Sequence, residues 1–205
     1  MMNKISSWRF WVPLLFQSAL ILVVPAQAIY THFSGKTIVL QTLPVDPYDL
    51  LRGRSLRLRY NISRVDALER LPGWETIVQS NRGEKQTAFR TGTRFYVILQ
   101  APAKAAEPGQ PPRAWKPVAV SHDRPSDLLS DRVALEGKQS IYPWIDYGLE
   151  TYYFPQEQGD EIKARIGQTL GNSNRERPFA VEVKVDSQGH AIPLSLWIGN
   201  NNYRF

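Results

Sequence analysis

The strongest constraint on this chain is a stretch near its start that carries no formal charge. Between Phe10 and Gly35 there is no Asp, Glu, Lys or Arg, and Phe10 to Val24 is almost entirely apolar. A segment of this length and composition is typical of a helix that enters a membrane. Since Lys4 and Arg9 precede it, the positive-inside rule keeps the N-terminus in the cytoplasm and sends the rest of the chain across.

This apolar segment has two alternative fates. Residues 26–28, Ala-Gln-Ala, have the small-x-small form that a signal peptidase cuts, so a signal peptide cleaved near residue 28 is one alternative. The other is a retained anchor, because the uncharged stretch continues to Phe33 and aromatic residues flank it at both ends. We expect a transmembrane signal anchor over residues 10–30. Residues 1–9 are then cytoplasmic, and residues 36–205 form a domain on the periplasmic or lumenal side.

The exported part is basic and lacks cysteine. The whole chain has a formal net charge of +6, of which Lys4 and Arg9 contribute two, so residues 29–205 retain +4. Outside the cytoplasm this charge does not indicate nucleic acid; it fits ordinary solubility, anionic lipid headgroups or an acidic protein surface. Without Cys the chain has no disulfide and no Cys-based zinc or redox site. Its 42% apolar residues are typical of a folded domain.

Alternation with a period of two predicts a mostly β fold for this domain. Four large apolar residues alternate with basic or polar ones in the first clear strand, namely Leu56, Leu58, Tyr60 and Ile62. Phe95–Leu99 is apolar throughout, which predicts a central strand covered on both faces. Residues 179–185 and 192–198 flank an Asp-Ser-Gln-Gly turn and predict a hairpin, in which Pro193 marks an edge strand or a bulge. We expect an antiparallel sheet, barrel-like or a sandwich.

Helix is expected in only a few short places. In residues 161–170 the apolar Ile162 and Ile166 share one stripe, with acidic residues at the start and Gly-Asn after the end. A weaker helical turn is expected over residues 65–71, before Pro-Gly. The fold class predicted is therefore a β-rich domain with one or two short helices, preceded by the N-terminal helix.

A corner at residues 44–53 is unusually well specified. Asp46 suits a helix cap, Pro47 the first helical position, and Asp49 the first turn, where a carboxylate can reach back to the cap. Gly53 supplies a left-handed exit. This pattern predicts a short helix at residues 47–52. Capping explains each of these residue types, while a polar site that also includes Arg52 is the functional alternative.

At this corner the chain resembles the GDYXXLXY family, bacterial membrane-anchored proteins of unknown function. Gly53, Leu58 and Tyr60 match the G, the L and the last Y of the signature, whereas Arg54 and Ser55 replace the D and the first Y. The middle segment is also similar, in particular at Tyr147, Gly148, Glu150 and Glu161, and so is the closing hairpin. The resemblance implies a single N-terminal membrane helix, an outward β-rich domain and association with another membrane protein. It implies no established activity.

Two other features are candidates for binding. One is a run of arginines with no acidic residue between Gly53 and Val65, namely Arg52, Arg54, Arg57, Arg59 and Arg64. Such a guanidinium cluster suits phosphate headgroups or partner carboxylates, although a solvated sheet face also explains it. The other is an aromatic segment: Tyr142, Trp144, Tyr147, Tyr152, Tyr153 and Phe154. It suits a sugar or peptide groove, a protein interface, or core packing.

The sequence thus predicts an accessory domain, anchored in a membrane, that docks to a membrane protein complex and aids its assembly or stability. One alternative is a module that binds a small molecule or an envelope polymer through the aromatic segment. A second is a hydrolase with Ser55 as nucleophile, for which no neighbouring lysine supplies the base. No metal or cofactor is expected, because His32, His122 and His190 lack zinc-motif spacing.

Overall fold

The computed structural model describes residues 8–43, 51–52, 55–80, 90–104, 106, 110–153, 156–172 and 179–204. Their strands form three open antiparallel sheets, numbered here along the chain. The first sheet contains, in spatial order, β1 (Lys36–Gln41), β9 (Phe179–Val185), β10 (Ala191–Ile198) and β11 (Asn201–Arg204). The second contains β2 (Leu51–Arg52), β3 (Ser55–Arg57) and β8 (Thr151–Tyr153). The third contains β5 (Lys116–Ser121), β4 (Arg94–Gln100), β6 (Arg132–Gln139) and β7 (Ile145–Asp146).

The described helices range from single turns to the long N-terminal helix. They are α1 (Trp8–Ser34), a 3₁₀ turn at Asn61–Ser63, α2 (Val65–Leu68), α3 (Trp74–Ser80) and α4 (Gln156–Asn172). The three sheets and the short helices share one hydrophobic core, to which Ile38, Leu56, Leu68, Ile77, Val97, Leu135, Ile162 and Val181 all contribute. Each of these buried aliphatic side chains contributes about 1.5–3 kcal/mol of transfer free energy. The β-rich antiparallel fold predicted from alternation is confirmed, and its sheets are open rather than closed on themselves.

The closing hairpin forms as predicted. β9 and β10 pair antiparallel around the turn at residues 186–189, and Gly189 adopts a φ of +93° there. β10 lies between β9 and β11, so it is not an edge strand. Pro193 instead marks a bulge, since the register shifts between Pro193 and Ser195. The missing N–H of proline is tolerated at such a shift.

The central strand is also present, but its burial is one-sided. Phe95, Val97 and Leu99 are fully buried, whereas Tyr96 and Ile98 are only half-buried. Gly189 explains part of this cover, because a Cβ there would lie 2.9 Å from the Tyr96 ring. The uniformly apolar sequence of residues 95–99 therefore predicted more burial of the second face of β4 than the structure has.

Two local predictions need correction. The strand predicted through Ile62 ends at Arg57, and a 3₁₀ turn begins at Asn61. There the Ser63 hydroxyl accepts the Tyr60 N–H at 3.0 Å, and the Ser63 N–H donates to the Tyr60 carbonyl at 2.9 Å. These local hydrogen bonds compete with the bonds between neighbouring strands of a sheet. The helix predicted at 47–52 is wrong at its end, since Leu51 and Arg52 form β2 opposite β3. Residues 44–50 lie outside the described part.

The predicted helices at 65–71 and 161–170 are found as α2 and α4, with different ends. α3 and β11 were not predicted. α3 begins at Trp74, which is buried together with Ile77, and it packs beside β5. β11 pairs with β10 through a tight turn at Gly199, where φ is +56°. Its polar side chains gave no alternating apolar signal.

The N-terminal helix bends. Its parts Trp8–Val23 and Pro25–Ser34 meet at 42°, and Pro25 accounts for the bend because it removes a helical hydrogen bond. No single helix of the described chain is long and apolar enough to cross a membrane, but the two parts of α1 together meet that test by length and composition. Among the described side chains of α1, only Thr31 is buried.

Thr31 joins α1 to the β9–β10 turn. Its hydroxyl donates to the buried Asp186 carboxylate at 2.7 Å. The other Asp186 oxygen accepts the N–H groups of Gln188 at 2.8 Å and His190 at 3.0 Å. Only Gly35 separates α1 from β1, and a Cβ on it would lie 2.4 Å from the Thr31 carbonyl. Helix and domain are therefore joined without a flexible linker.

We expect Thr31→Val to weaken this junction in a pH-dependent way. Burial alone raises the pKa of Asp186, but hydrogen bonds from Thr31, Gln188 and His190 outweigh it and hold the pKa below its usual value. A lowered folded-state pKa stabilises the fold above the unfolded-state pKa, and this stabilisation is lost as pH falls through the folded-state pKa. Removing the Thr31 donor should therefore move the acid-unfolding midpoint, followed by circular dichroism, to higher pH. Thr37→Val, on an exposed position of β1, should leave the midpoint unchanged.

A second prediction concerns the turn before α3. Gly73 has φ +89°, and a Cβ there would lie 2.0 Å from the Val120 carbonyl oxygen. Gly73→Ala should lower the free energy of unfolding by about 2 kcal/mol or more, since backbone must move and the left-handed conformation is strained. Gly167→Ala is the matched control: it lies in α4 with nothing within 4 Å and should stabilise by about 0.5–1 kcal/mol. Urea denaturation of the full-length protein in mild detergent measures both.

Candidate functional site

A cleft of about 350 Å³ opens beside the second sheet, between two segments that the sequence analysis singled out separately. Its lining contains Arg57 and Arg59, called here the arginine wall, and Asp146, Gly148 and Glu150, called here the acidic wall. The cleft thus brings the arginine run and the middle segment together. Its walls combine cationic, anionic and aromatic side chains.

The arginine wall follows from alternation along β3 and the residues after it. Leu56, Leu58 and Tyr60 are fully or almost fully buried, so Arg57 and Arg59 face outward on the opposite side. The segment is held in register because Arg57 pairs with Thr151 in β8 and the Leu58 N–H bonds the Glu150 carbonyl at 2.8 Å.

Trp144 closes one end of the cleft. The loop that carries Trp144 is held by the buried Gln139 amide, which donates to the Trp144 carbonyl at 3.0 Å. The Val65 N–H bonds the Pro143 carbonyl at 3.0 Å on the other side. The Arg59 guanidinium lies 3.5 Å from the centroid of the Trp144 ring. A cation–π contact of this kind contributes about 0.5–2 kcal/mol and holds the guanidinium in place.

The acidic wall is a tight corner at residues 146–150. Glu150 turns back to accept the Tyr147 N–H at 2.6 Å, and Gly148 adopts a φ of +74°. Burial raises the pKa of Glu150, and backbone hydrogen bonds oppose part of that effect. Asp146 is exposed. The corner therefore contributes a half-buried and an exposed carboxylate to the lining of the cleft.

Beneath the cleft, buried tyrosines connect the two walls. The Tyr60 hydroxyl donates to the Leu149 carbonyl at 2.7 Å and contacts the Tyr152 hydroxyl. Because a phenol has one proton, Tyr152 is the donor in that pair. The Tyr147 hydroxyl donates to the Ile62 carbonyl at 2.6 Å. Burial raises the pKa of all three hydroxyls, so they stay protonated.

The predicted site residues divide into three groups. Arg57, Arg59, Gly148 and Glu150 line the cleft, whereas Leu58, Tyr60 and Tyr147 are buried beneath it and act in packing. Glu161 lies elsewhere: its carboxylate accepts the Tyr203 hydroxyl at 3.2 Å on the surface of α4. Asp46, Pro47, Asp49, Gly53 and Arg54 lie outside the described residues, and for Arg52 the structure describes only its place in β2.

The sequence did not single out Asp146 or Thr151, and it placed Trp144 only in a general aromatic cluster. The aromatic segment itself divides, since Tyr147 and Tyr152 are buried whereas Tyr142 and Tyr153 are exposed. Phe154 lies outside the described residues. No local pattern signals the contact between Arg59 and Trp144, because they meet only through the paired sheets.

The arrangement suits binding by charge and stacking. Among the described residues neither Arg57 nor Arg59 forms an ion pair with a carboxylate, whereas Arg64 pairs with Asp66 at 2.8 Å. Ser55 pairs with Tyr153 in the sheet and does not line the cleft. In the part of the chain that is described, no three metal-ligating side chains come together.

The tyrosine contacts give a prediction. Tyr60→Phe should lower the free energy of unfolding by about 1–3 kcal/mol, because the Leu149 carbonyl and the Tyr152 hydroxyl lose a buried partner. Tyr153→Phe removes the same atom from a side chain that is 74% exposed, and it should change stability by less than about 0.5 kcal/mol. Equal effects of the two substitutions in urea denaturation would contradict a structural role for the Tyr60 hydroxyl.

Comparison with known proteins gives one match. A family model described as GDYXXLXY protein matches residues 17–196, which includes most of α1, the cleft and most of the closing hairpin. No curated protein and no solved structure matches the chain.

Proposed function

The chain belongs to the GDYXXLXY family, and from that premise we propose that it is a docking domain tethered to a membrane. In this proposal α1 is the anchor, and the β-rich domain lies on the periplasmic or lumenal side. There it binds another membrane protein and aids its assembly or stability.

The observation that carries the proposal is the rigid junction between α1 and the domain. The described side chains of α1 are exposed apolar or uncharged groups apart from Thr31 and the charged Arg9, and Thr31 bonds the buried Asp186 of the domain. A long flexible linker would let a domain search a large volume. A one-residue junction instead holds the domain at one orientation, which suits docking to a neighbour in the same membrane.

The surface around the cleft supports the same function. Outside α1, the described large apolar side chains that are strongly exposed are Leu129, Ile141, Tyr142 and Tyr153. Three of them are near neighbours in the chain of residues that line the cleft: Ile141 and Tyr142 precede Trp144, and Tyr153 follows Thr151 on the same face of β8. Arginine, tryptophan and tyrosine are enriched at protein interfaces and among the residues that dominate binding.

A binding module for a small molecule or an envelope polymer is the alternative. Burial of Tyr147 and Tyr152 leaves Tyr142, Trp144 and Tyr153 as the exposed aromatic residues of that segment. These three are separated around the rim and do not line one deep pocket. The geometry therefore favours a polypeptide partner over a compact ligand.

The proposal is tested by affinity capture of full-length protein from its native membrane in mild detergent, with quantitative mass spectrometry. We expect a membrane protein at a stoichiometric level. The double variant Arg57→Gln and Arg59→Gln should recover at least about tenfold less of that partner, since charge-assisted contacts are lost. Arg165→Gln, on the surface of α4 beside Glu161, is the control for loss of one positive charge away from the cleft and should recover the same amount.

Absence of any stoichiometric membrane partner would contradict the docking function. Thermal unfolding of both variants shows whether they remain folded. If wild-type protein captures a partner and the double variant captures it equally well, docking stands and the cleft is not the surface used.

A further inference from the structure

We propose that the cleft binds an acidic side chain in an extended polypeptide segment that leaves the membrane beside α1. The inference rests on the proposed docking function and specifies the chemistry of the docked group. Arg57 and Arg59 bind its carboxylate, and Asp146 and Glu150 accept hydrogen bonds from its backbone N–H groups.

The guanidiniums are suited to bind a carboxylate. Arg57 and Arg59 are exposed on one face, and no described carboxylate forms an ion pair with either. Arg59 lies flat enough against Trp144 for a 3.5 Å contact with the ring centroid, which leaves its N–H edge for a partner. A guanidinium edge presents a rigid fork that matches the two oxygens of a carboxylate. Because the contact with Trp144 already holds the Arg59 guanidinium, less conformational entropy is lost when a partner binds.

The mixed lining of the cleft favours a carboxylate over a phosphate. The formal charges of Arg57, Arg59, Asp146 and Glu150 sum to zero. A phosphate group carries nearly two negative charges at neutral pH, and its larger desolvation cost is not offset in a cleft without net positive charge. A singly charged carboxylate has a smaller desolvation cost. Peptide N–H groups beside it donate to Asp146 and to the Glu150 carboxylate, which also accepts the Tyr147 N–H.

The size and rim of the cleft indicate a polypeptide. Its volume of about 350 Å³ is at the lower end of ligand sites, which are roughly 300–1,000 Å³, so it accommodates one or two side chains. Ile141 is 78% exposed, Tyr142 61% and Tyr153 74%. Exposed apolar groups around a polar cleft mark a surface that a larger partner covers.

A neighbouring groove gives the direction of approach. It has a volume of about 570 Å³ and reaches Gln27 on α1. Asp146 and Gly148 line both this groove and the cleft, so the two adjoin at that corner. A chain that emerges from the membrane next to α1 has a path along the groove to Arg57 and Arg59.

The experiment selects binders from a random peptide library displayed on phage, with immobilised full-length protein in mild detergent. We expect wild-type protein to enrich peptides that contain Asp or Glu, and the Arg165→Gln control to do the same. A resynthesised peptide should lose at least about tenfold in affinity when its acidic residue becomes the amide. The double variant Arg57→Gln and Arg59→Gln should bind the acidic peptide and its amide with equal affinity. Inorganic phosphate should not displace the peptide from wild-type protein.

Three results would overturn the inference. Wild-type protein fails to enrich acidic peptides, the double variant distinguishes the acidic peptide from its amide as well as wild type does, or phosphate displaces the peptide. Arg57→Lys and Arg59→Lys retain the charge and the folded surface, and should retain only part of the discrimination because lysine lacks the fork. The peptide selection and the partner capture test this inference and the proposed docking function separately. Capture of a membrane partner without acidic enrichment leaves docking intact and removes this inference, whereas acidic enrichment without a membrane partner removes docking and leaves the carboxylate site.

Discussion

The buried hydroxyl of Tyr60 connects the parts on which the rest of the domain depends. It bonds the Leu149 carbonyl and the Tyr152 hydroxyl, while the backbone at Tyr60 forms a bridge to Thr42 at the end of β1. The segment that carries the family signature, the middle segment and the first sheet therefore meet at Tyr60. Low polarity around these hydroxyls strengthens their hydrogen bonds and makes an unpaired group costly. The tyrosine is thus a structural residue, and the proposed binding surface lies on the other face of its strand.

The second constraint is the junction of α1 with the β9–β10 turn. A carboxylate as buried as Asp186 is stable only when hydrogen bonds replace its lost hydration. Here one of the donors is Thr31 of the helix. Helix α1 and the domain are consequently parts of one structure. The groove that begins at Gln27 and the cleft at Arg57 hold a constant relation to the helix, which is the geometrical basis of the docking proposal.

Sequence reasoning succeeded where a local pattern has one structural solution. Alternation at Leu56, Leu58 and Tyr60 and the turn at Gly189 predicted the right faces and the right hairpin. It failed at Leu51 and Arg52, where capping residues predicted a helix but pairing with β3 imposed a strand. It also missed β11, because the stability of an edge strand with polar side chains comes from its neighbour's ladder rather than from its own burial.

Sequence by itself determined the uncharged N-terminal segment, the antiparallel class and the outward direction of Arg57 and Arg59, since each follows from the order of apolar and charged residues along one segment. Only the tertiary structure decided that Arg59 contacts Trp144, that Glu150 lines the same cleft as Arg57 and Arg59, and that Thr31 bonds Asp186. These pairs are distant in the chain. Sheet register and shared core packing bring them together, and no local periodicity encodes those long-range constraints.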